Sequence, residues 1–321
     1  MWVYTLCREP EVSLILPVVL PKSWGKRVFT VLSTLAPSKS RKFACKITLP
    51  MNQPDVKLYS FGSGSSGNSY YLWYKGQGLL IDLGLSLRTF KKHFRTYGLS
   101  FGQVLGILVT HDHTDHVKAV GALSTELHLP VYTSQGVHEG IARNRFVTKK
   151  VQAEQKRVLE QGKSQEIGPF CITSFAVPHD SADNNGYLIR FGDHALCLIT
   201  DAGEVTEEMG HYLAQAENII IESNYDPKML ENGPYPWHLK HRILSENGHL
   251  CNSAAGEALR QYSPNSLRRV WLCHLSEENN HPELARAAVR QALESCGHTL
   301  EGESAVLLHA FRRQVPDYFE W

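Results

Sequence analysis

A dense run of potential metal ligands occupies positions 111–116 of this 321-residue chain. His111 and His113 are two residues apart, so on an extended strand end their imidazoles point the same way and can bind one metal ion. Asp115 and His116 fall on the following turn and can reach a second ion nearby. Imidazole and carboxylate ligands suit Zn, Mn or Fe. Because a plain solvated loop rarely has four ligand-type residues in six positions, the run predicts a metal site at a strand end.

The HxHxDH pattern of this run resembles the site motif of the metallo-β-lactamase superfamily. The resemblance implies an α+β fold, a four-layer αββα sandwich, with the metal site along one edge. Four more residues match the family's site positions, each after a predicted apolar strand and in the family's order. They are Asp82 in LLIDLG, His179 in AVPHD, Asp201 in LITDAG and His274 in LCHLSEENN. One such residue alone is more often structural, so the prediction depends on all four occurring together.

Five longer segments narrow the resemblance to the WalJ (YycJ)-like subfamily of small nucleases. They are residues 62–72, 79–88, 177–187, 221–252 and 273–280. The fourth segment is the most specific, and the resemblance extends over most of the chain that follows the first fifty residues. One departure is visible, because this chain reads GHLCN at 248–252 where the subfamily usually reads GHLSN. A hydroxyl group that could contact phosphate is therefore missing at Cys251.

The resemblance implies a centre of two divalent metal ions, Zn or Mn. Asp82 would orient the ligand loop from outside the centre. The implied ligands are His111, His113 and His179 for one ion, Asp115, His116 and His274 for the other, and Asp201 between them. Two such ions lower the pKa of water and neutralise the charge that develops on a phosphodiester during hydrolysis.

A leaving oxygen also needs a proton, and His249 is the candidate donor. It precedes a predicted helix start, where a phosphate could lie. Ribonuclease Z, a relative, carries a similar GHST stretch whose His acts near the scissile phosphate. A structural loop His is the alternative interpretation. With Asp115 and Asp82 from the implied metal centre, His249 completes the set of candidate catalytic residues.

Four residues are candidate contacts for a substrate phosphate. Lys240 and Arg242 could clamp the phosphate, although a solvated basic helix face explains them equally well. Ser63 and Asn68 bound a glycine-rich turn whose backbone N–H groups could bind phosphate, and a plain tight turn is the alternative.

These features favour a metal-dependent phosphodiesterase or nuclease. The resemblance implies a 5′-to-3′ exonuclease acting on DNA, while the residues themselves do not choose DNA over RNA. The alternative is a metal-dependent small-molecule hydrolase of the same fold, acting on a thioester, lactone, β-lactam or cyclic phosphodiester. His249 and the Lys240 and Arg242 pair favour phosphate over those substrates.

Three related classes fit less well. A flavodiiron oxygen reductase usually has Glu where His113 stands and carries a flavin domain. A β-CASP nuclease inserts a large domain between the fourth and fifth motifs, whereas only 72 residues separate Asp201 from His274. A non-catalytic binding module is disfavoured because all seven ligand positions are intact.

Apolar strands must position these residues. Hydrophobic periodicity and turn residues predict strands at 56–61, 69–73, 78–83, 104–109, 130–133, 170–177, 187–191, 195–199, 218–221 and 270–273. Helices are predicted from Ser86 to Gly98, over 205–213 and over 282–297. Two more are predicted to begin at about residue 136 and after a cap at Asn252. Residues 149–166 are polar and poorly periodic, which predicts a surface excursion.

Charge is unevenly distributed along the chain. Residues 1–50 carry eight Lys and Arg against two Asp and Glu, whereas the remainder carries 25 against 30. The apolar run in the first part is interrupted by Pro17 and fits no secretory signal. We predict that residues 1–54 are a disordered extension or a misassigned start, and that residues 55–321 form the catalytic domain.

Composition also limits the class of protein and the compartment in which it works. A net charge of +1 argues against a protein that coats nucleic acid by charge alone. No stretch approaches the roughly 18 apolar residues of a membrane helix, so we expect no membrane segment. Seven Cys without a CxxC pair favour a reducing compartment, and hence the cytoplasm.

Overall fold

Two mixed seven-stranded sheets dominate the computed structural model, which describes residues 55–321. The prediction for residues 1–54 lies outside the described residues. The first sheet has the order β14-β1-β2-β3-β4-β5-β6, with β1 Val56–Gly62, β2 Ser69–Tyr74, β3 Gln77–Ile81, β4 Val104–Leu108, β5 Val131–Thr133, β6 Lys156–Val158 and β14 Asp317–Glu320. The second has the order β13-β12-β11-β10-β9-β8-β7, with β7 Ser164–Ile167, β8 Phe170–Ala176, β9 Asn185–Phe191, β10 His194–Ile199, β11 Asn218–Glu222, β12 Arg269–Cys273 and β13 Leu307–Ala310.

Helices cover the outer face of each sheet. They are α1 Leu87–Thr96, α2 Thr114–Val117, α3 Val120–Leu127, α4 Gln135–Arg143, α5 Glu207–Leu213, α6 Pro227–Asn232, α7 Trp237–Ile243, α8 Asn252–Tyr262 and α9 Pro282–Ser295. The Ser86 hydroxyl caps α1 by accepting from the Thr89 N–H at 3.2 Å, as predicted. None of the helices within residues 55–321 combines the length and the apolar character needed to cross a membrane.

Alternating side chains on the strands produce three hydrophobic layers. In β12, Trp271 points into the core between the sheets, whereas Val270 and Leu272 pack beneath the helices of the second sheet. In β2, Leu72 lies between the sheets and Tyr71 faces the helices of the first sheet. A core between the sheets and one under each helical layer make a four-layer sandwich, which confirms the predicted αββα fold.

Four strands and one helix start differ from the sequence prediction. The excursion predicted at 149–166 contains β6 and β7, and β13 and β14 were not predicted at all. These strands are short, and all four lie at sheet edges, where backbone pairing holds them without a run of apolar residues. Asn252 is not the cap of α8. Cys251 takes that position, and its sulfur accepts from the Ala254 N–H at 3.4 Å.

Parallel pairing brings the ends of the site-bearing strands together. β3 pairs with β4 in parallel, and β10, β11 and β12 are parallel to one another. Because the carboxyl ends of parallel strands lie at one edge of a sheet, the residues that follow these strands converge there.

The aromatic cluster under α1 should carry much of the stability of the first sheet. The buried Phe94 ring packs against Phe61, Tyr71 and Phe101. We expect Phe94→Ala to lower the free energy of unfolding by about 3–5 kcal/mol, because it removes a large ring and leaves a cavity. Urea denaturation followed by circular dichroism measures this. The control is Lys92→Ala, at an exposed position of the same helix, and equal midpoints for the two variants would contradict the expectation.

Candidate metal centre

The metal-ligand candidates follow the carboxyl ends of strands in both sheets, at the place where the two sheets approach each other. Asp82 directly follows β3, and His111 follows β4 by three residues. From the second sheet, Asp201 and His274 come after β10 and β12. His116 Nε2 lies 3.1 Å from an Asp201 carboxylate oxygen, so the two edges are in direct contact.

All seven predicted ligands come together in overlapping groups whose ligand atoms lie within 4.8 Å of one another. Four residues belong to more than one group, so the groups are contiguous: His111, His116, Asp201 and His274. The groups are His111, His113 and His179; His111, His116 and Asp201; Asp115, His116 and His274; and Asp201, Glu222, His249 and His274. Such a set of imidazoles and carboxylates matches the ligands that zinc and manganese take.

Hydrogen bonds fix the orientation of three of the ligand imidazoles. In each case Nδ1 bonds an oxygen. The distance is 2.7 Å from His116 to Asp82, 2.9 Å from His179 to the Gly248 carbonyl and 2.9 Å from His274 to Glu222. Nε2 of each ring is then left facing the group. Outer hydrogen bonds of this kind set the tautomer that a metal ligand needs.

Two ring nitrogens support a metal at this place. The Nε2 atoms of His111 and His274 are buried and have no hydrogen-bond partner within residues 55–321. A buried polar atom without a partner costs about 1–3 kcal/mol, which a bound cation removes. The residues present therefore fit a metal centre.

The ionisation of His111 and Asp201 suits cation binding, whereas the proton on His116 would have to leave before this ring could hold a cation. Burial lowers the pKa of His111 well below its usual value, which keeps this imidazole neutral and able to bind. Burial opposes the charged form of His116, but Asp201 and Asp82 more than offset it and raise the pKa of His116 to about 10. Burial would raise the pKa of Asp201, but His274 and His116 hold it well below its usual value. The carboxylates are thus ionised in the folded protein.

Ser63 and Asn68 hold the ligand loops in place, and the contact of their turn with substrate phosphate stays a prediction. The Ser63 hydroxyl accepts from the His274 backbone N–H at 2.9 Å and bonds the Tyr70 hydroxyl at 2.8 Å. The Asn68 amide lies 2.8 Å from His116 Nε2, and its backbone N–H donates to the Asp115 carbonyl at 2.7 Å. Both side chains are fully buried, whereas Ser65 and Ser66 at the tip of the turn are exposed.

The other two phosphate candidates lie on α7 at the rim. Arg242 binds both oxygens of Asp180, at 2.5 and 3.0 Å, and Asp180 follows the candidate ligand His179. Lys240 is half-buried and donates to the Glu231 carbonyl at 2.7 Å. Arg242 is therefore the closer of the two to the centre.

Sequence reasoning missed Glu222, the last residue of β11. This fully buried carboxylate accepts from His249 Nδ1 at 2.8 Å and from the backbone N–H groups of Ala202 and Leu250 at 2.8 and 3.1 Å. Burial would raise its pKa, but His249 more than offsets this and lowers the pKa of Glu222. The available signal was its position at the end of an apolar strand, like Asp82 and Asp201.

His249 is held beside the ligand groups with one nitrogen free. Its Nδ1 bonds Glu222, and its side chain is 14% exposed. Nε2 makes no hydrogen bond within the described part of the chain. Burial would lower the pKa of His249, but the Glu222 carboxylate more than offsets burial and raises it. This imidazole is therefore suited to hold a proton near neutral pH.

The backbone at the centre leaves no room for a larger residue at Gly84. A Cβ there would lie 1.5 Å from the carbonyl oxygen of Asp115. We expect Gly84→Ala to displace the ligand loop, lower Zn²⁺ or Mn²⁺ affinity at least tenfold and destabilise the fold by about 3 kcal/mol. Calorimetric titration and thermal melting measure both effects.

The matched control is Gly102→Ala, because the nearest atom to a Cβ at Gly102 is 3.6 Å away. If both variants bound metal as the unmodified chain does, the close approach at Gly84 would not matter to the centre.

Comparison with known proteins places this geometry in a family. The family described as "Beta-lactamase superfamily domain" matches residues 78–275. The chain is 37% identical over 235 residues to "Exodeoxyribonuclease YycJ" of Bacillus anthracis, covering 73% of this chain and 88% of that protein. It is 35% identical over 235 residues to "Exodeoxyribonuclease WalJ" of Streptococcus pneumoniae, covering 73% and 87%.

A solved structure with the same fold is the metallo-β-lactamase fold protein YhfI from Bacillus subtilis. It has a TM-score of 0.60 and 16% identity, and the match covers 83% of this chain and 100% of that one. Together with the five matching segments, these findings confirm the resemblance seen in the sequence. The chain belongs to the metallo-β-lactamase superfamily and, within it, to the family of the YycJ and WalJ proteins.

Proposed function

We propose that this chain is a metal-dependent exodeoxyribonuclease that degrades DNA from the 5′ end. The observation that carries the proposal is the convergence of seven metal-ligand candidates where the two sheets meet, with the His249–Glu222 pair beside Asp201 and His274. The relatives named YycJ and WalJ, which the chain matches over most of their length, support DNA as the substrate.

The centre would bind two divalent cations, zinc or manganese. His111, His113 and His179 would hold one ion. Asp115, His116 and His274 would hold the other, and Asp201 would contribute its carboxylate beside His116 and His274. Such cations lower the pKa of water and neutralise negative charge on a phosphodiester. The protein itself contributes fixed ligand orientation, through Asp82 on His116 and Glu222 on His274.

His249 would give the leaving oxygen its proton. Glu222 holds Nδ1, which leaves the free Nε2 to donate. Arg242 at the rim would meet a phosphate, with Asp180 fixing the plane of its guanidinium. These groups suit a phosphodiester, and the small-molecule hydrolase alternative is not favoured.

The cytoplasmic location remains part of this proposal. Within residues 55–321 all five cysteines, at 171, 197, 251, 273 and 296, are free thiols. Unpaired thiols are typical of a reducing compartment.

A substrate panel tests the proposal. The full chain, loaded with Zn²⁺ or Mn²⁺, is given single- and double-stranded DNA labelled at the 5′ end, RNA, bis(p-nitrophenyl) phosphate, a thioester and a β-lactam. We expect stepwise release of mononucleotides from the 5′ end of DNA and no turnover by an Asp115→Ala control. Turnover of the thioester or lactam with DNA intact would refute the nuclease assignment.

The proton donor is tested by kinetics and pH dependence. We expect His249→Ala to lower kcat on DNA about 100-fold or more, because general acid catalysis contributes on that scale. A raised pKa keeps His249 protonated below it, so the rate should fall as pH rises through that pKa. Glu222→Gln removes the charge that raises the pKa, so the falling limb should move to lower pH.

The matched control is Glu217→Gln, because Glu217 also bonds a histidine, His194, at 3.0 Å. This variant should leave the pH profile of DNA cleavage unchanged. An unchanged kcat in His249→Ala would remove His249 from the proposed chemistry.

A further inference from the structure

The position of His249 depends on a small part of the fold around α7. His249 follows this helix through a turn of residues 244–248, which is called the α7 turn here. α7 has seven residues, and no side chain within residues 55–321 caps its N-terminus. Because so short a helix is marginal by itself, other elements must hold it in place. The contacts that hold α7 therefore also decide where His249 lies.

The α7 turn transmits any shift of the helix to His249. The His249 N–H donates to the Ile243 carbonyl at 3.0 Å, and the Gly248 N–H donates to the Ser245 carbonyl at 2.8 Å. A Cβ on Gly248 would lie 2.2 Å from the Ile243 carbonyl oxygen, so the turn is closely packed on the end of α7. The helix and the histidine must therefore move together.

α7 packs on a small apolar cluster that is separate from the three large cores. The cluster consists of Tyr225, Leu230 and Ile243, with Tyr235, Leu239 and Cys251 packed against it. Segments with few buried apolar contacts open locally at low free energy. Polar links to the rest of the site must therefore restrict the position of α7.

Two consecutive residues, His179 and Asp180, supply such links. The His179 Nδ1–H donates to the Gly248 carbonyl at 2.9 Å. The Asp180 carboxylate accepts from Arg242 Nε at 2.5 Å and from Arg242 Nη2 at 3.0 Å, and such a bidentate pair fixes the guanidinium. The Asp180 carbonyl also accepts from His113 Nε2 at 3.2 Å. The ligand loop is thus joined to α7 and to the far end of the α7 turn.

We propose that Asp180 is a positioning residue, which couples the metal ligand His179 to the proton donor His249. The coupling runs through Arg242 and the α7 turn. This inference rests on the proposed function for the roles of the two histidines, and it adds how they are held relative to each other. A cation bound by His179 would fix this ring and the adjoining Asp180. Metal binding and the placement of His249 then favour one another, because coupling between sites is reciprocal.

Positioning and simple charge predict different effects of losing Asp180. Its Oδ1 lies 3.4 Å from His179 Nε2, so the carboxylate adds negative charge where a polyanion must approach. If Asp180 acted by charge alone, its removal would lower the KM for DNA and leave kcat unchanged. If Asp180 positions His249, its removal lowers kcat.

Hydrogen–deuterium exchange tests the coupling without turnover. The full chain is measured with and without Zn²⁺, and exchange is followed at residues 111–116 and 237–249. We expect Zn²⁺ to slow exchange about fivefold or more at both segments, as coupled sites typically do. In Asp180→Asn the slowing should persist at 111–116 and disappear at 237–249, which should also exchange faster without metal. Arg242→Lys should behave alike, because an ammonium group lacks the planar fork of the guanidinium.

Kinetics on DNA test the effect on His249. We expect Asp180→Asn to lower kcat about tenfold or more, since small displacements of a catalytic group cost factors of this size, with KM unchanged or lower. In a His249→Ala background, Asp180→Asn should change kcat less than about twofold, because a residue that acts through His249 then has nothing to position.

The matched control is Glu126→Gln. Glu126 is an exposed carboxylate on α3 that accepts from Lys91 of α1 at 2.6 Å. Its loss breaks an ion pair between two helices of the first sheet, so exchange at 237–249 and kcat should both stay as in the unmodified chain.

The outcomes separate this inference from the proposed function. If no DNA is cleaved with either metal, the nuclease assignment fails, while faster exchange of 237–249 in Asp180→Asn still supports the link to α7. Unchanged exchange of this segment in both Asp180→Asn and Arg242→Lys would overturn the inference. Additive losses of kcat in the double variant, or a lower KM with kcat unchanged in Asp180→Asn, would do so as well.

Discussion

The structure depends on balancing a set of acidic and imidazole side chains that are almost entirely buried where the two sheets meet. Asp82, Asp201 and Glu222 have almost no exposure, and the same holds for His116 and His274. An isolated charge in such a place would cost several kcal/mol, and removing one partner of a buried pair leaves the other uncompensated. Each carboxylate therefore accepts hydrogen bonds from an imidazole, and Asp82 and Glu222 also accept from backbone N–H groups. Bound cations would complete this balance.

The same requirement explains the backbone at the strand ends. Asp82, Asp201 and His274 have φ values of 56°, 52° and 52°, in the left-handed region that residues with a Cβ rarely adopt. Each turns the chain sharply after a buried strand, so that its side chain points into the centre. The neighbouring strands and the close approach at Gly84 hold these turns. Strain in the backbone is therefore a consequence of bringing ligands from separate strands to one point.

Sequence patterns predicted the residues that follow long apolar strands and missed those whose role depends on tertiary contacts. His111 and Asp201 were visible because a hydrophobic run ends just before them. The hydrogen bonds of Glu222 come from residues up to 52 positions away, which no local pattern reveals. The sequence likewise showed no sign of the contact made by Ser63, because its glycine-rich surroundings suggest an open turn while its hydroxyl is buried against His274. The edge strands β6 and β14 were missed because backbone pairing with a neighbour, rather than an apolar run, defines them.

Charge also decides how a polyanion can reach this centre. The carboxylates of Asp82, Asp115, Asp180, Asp201 and Glu222 lie in or beside it, and the described body is acidic as a whole. A DNA strand would be repelled from such a surface unless cations intervene, either metal ions within the centre or basic side chains at its rim. Arg242 cannot serve alone, because Asp180 already balances it. Arg145 and Lys149 are exposed after α4 and have no ion-pair partner within residues 55–321, and Asn144 beside them bonds the Asp112 carbonyl, so they add positive charge next to the ligand loop.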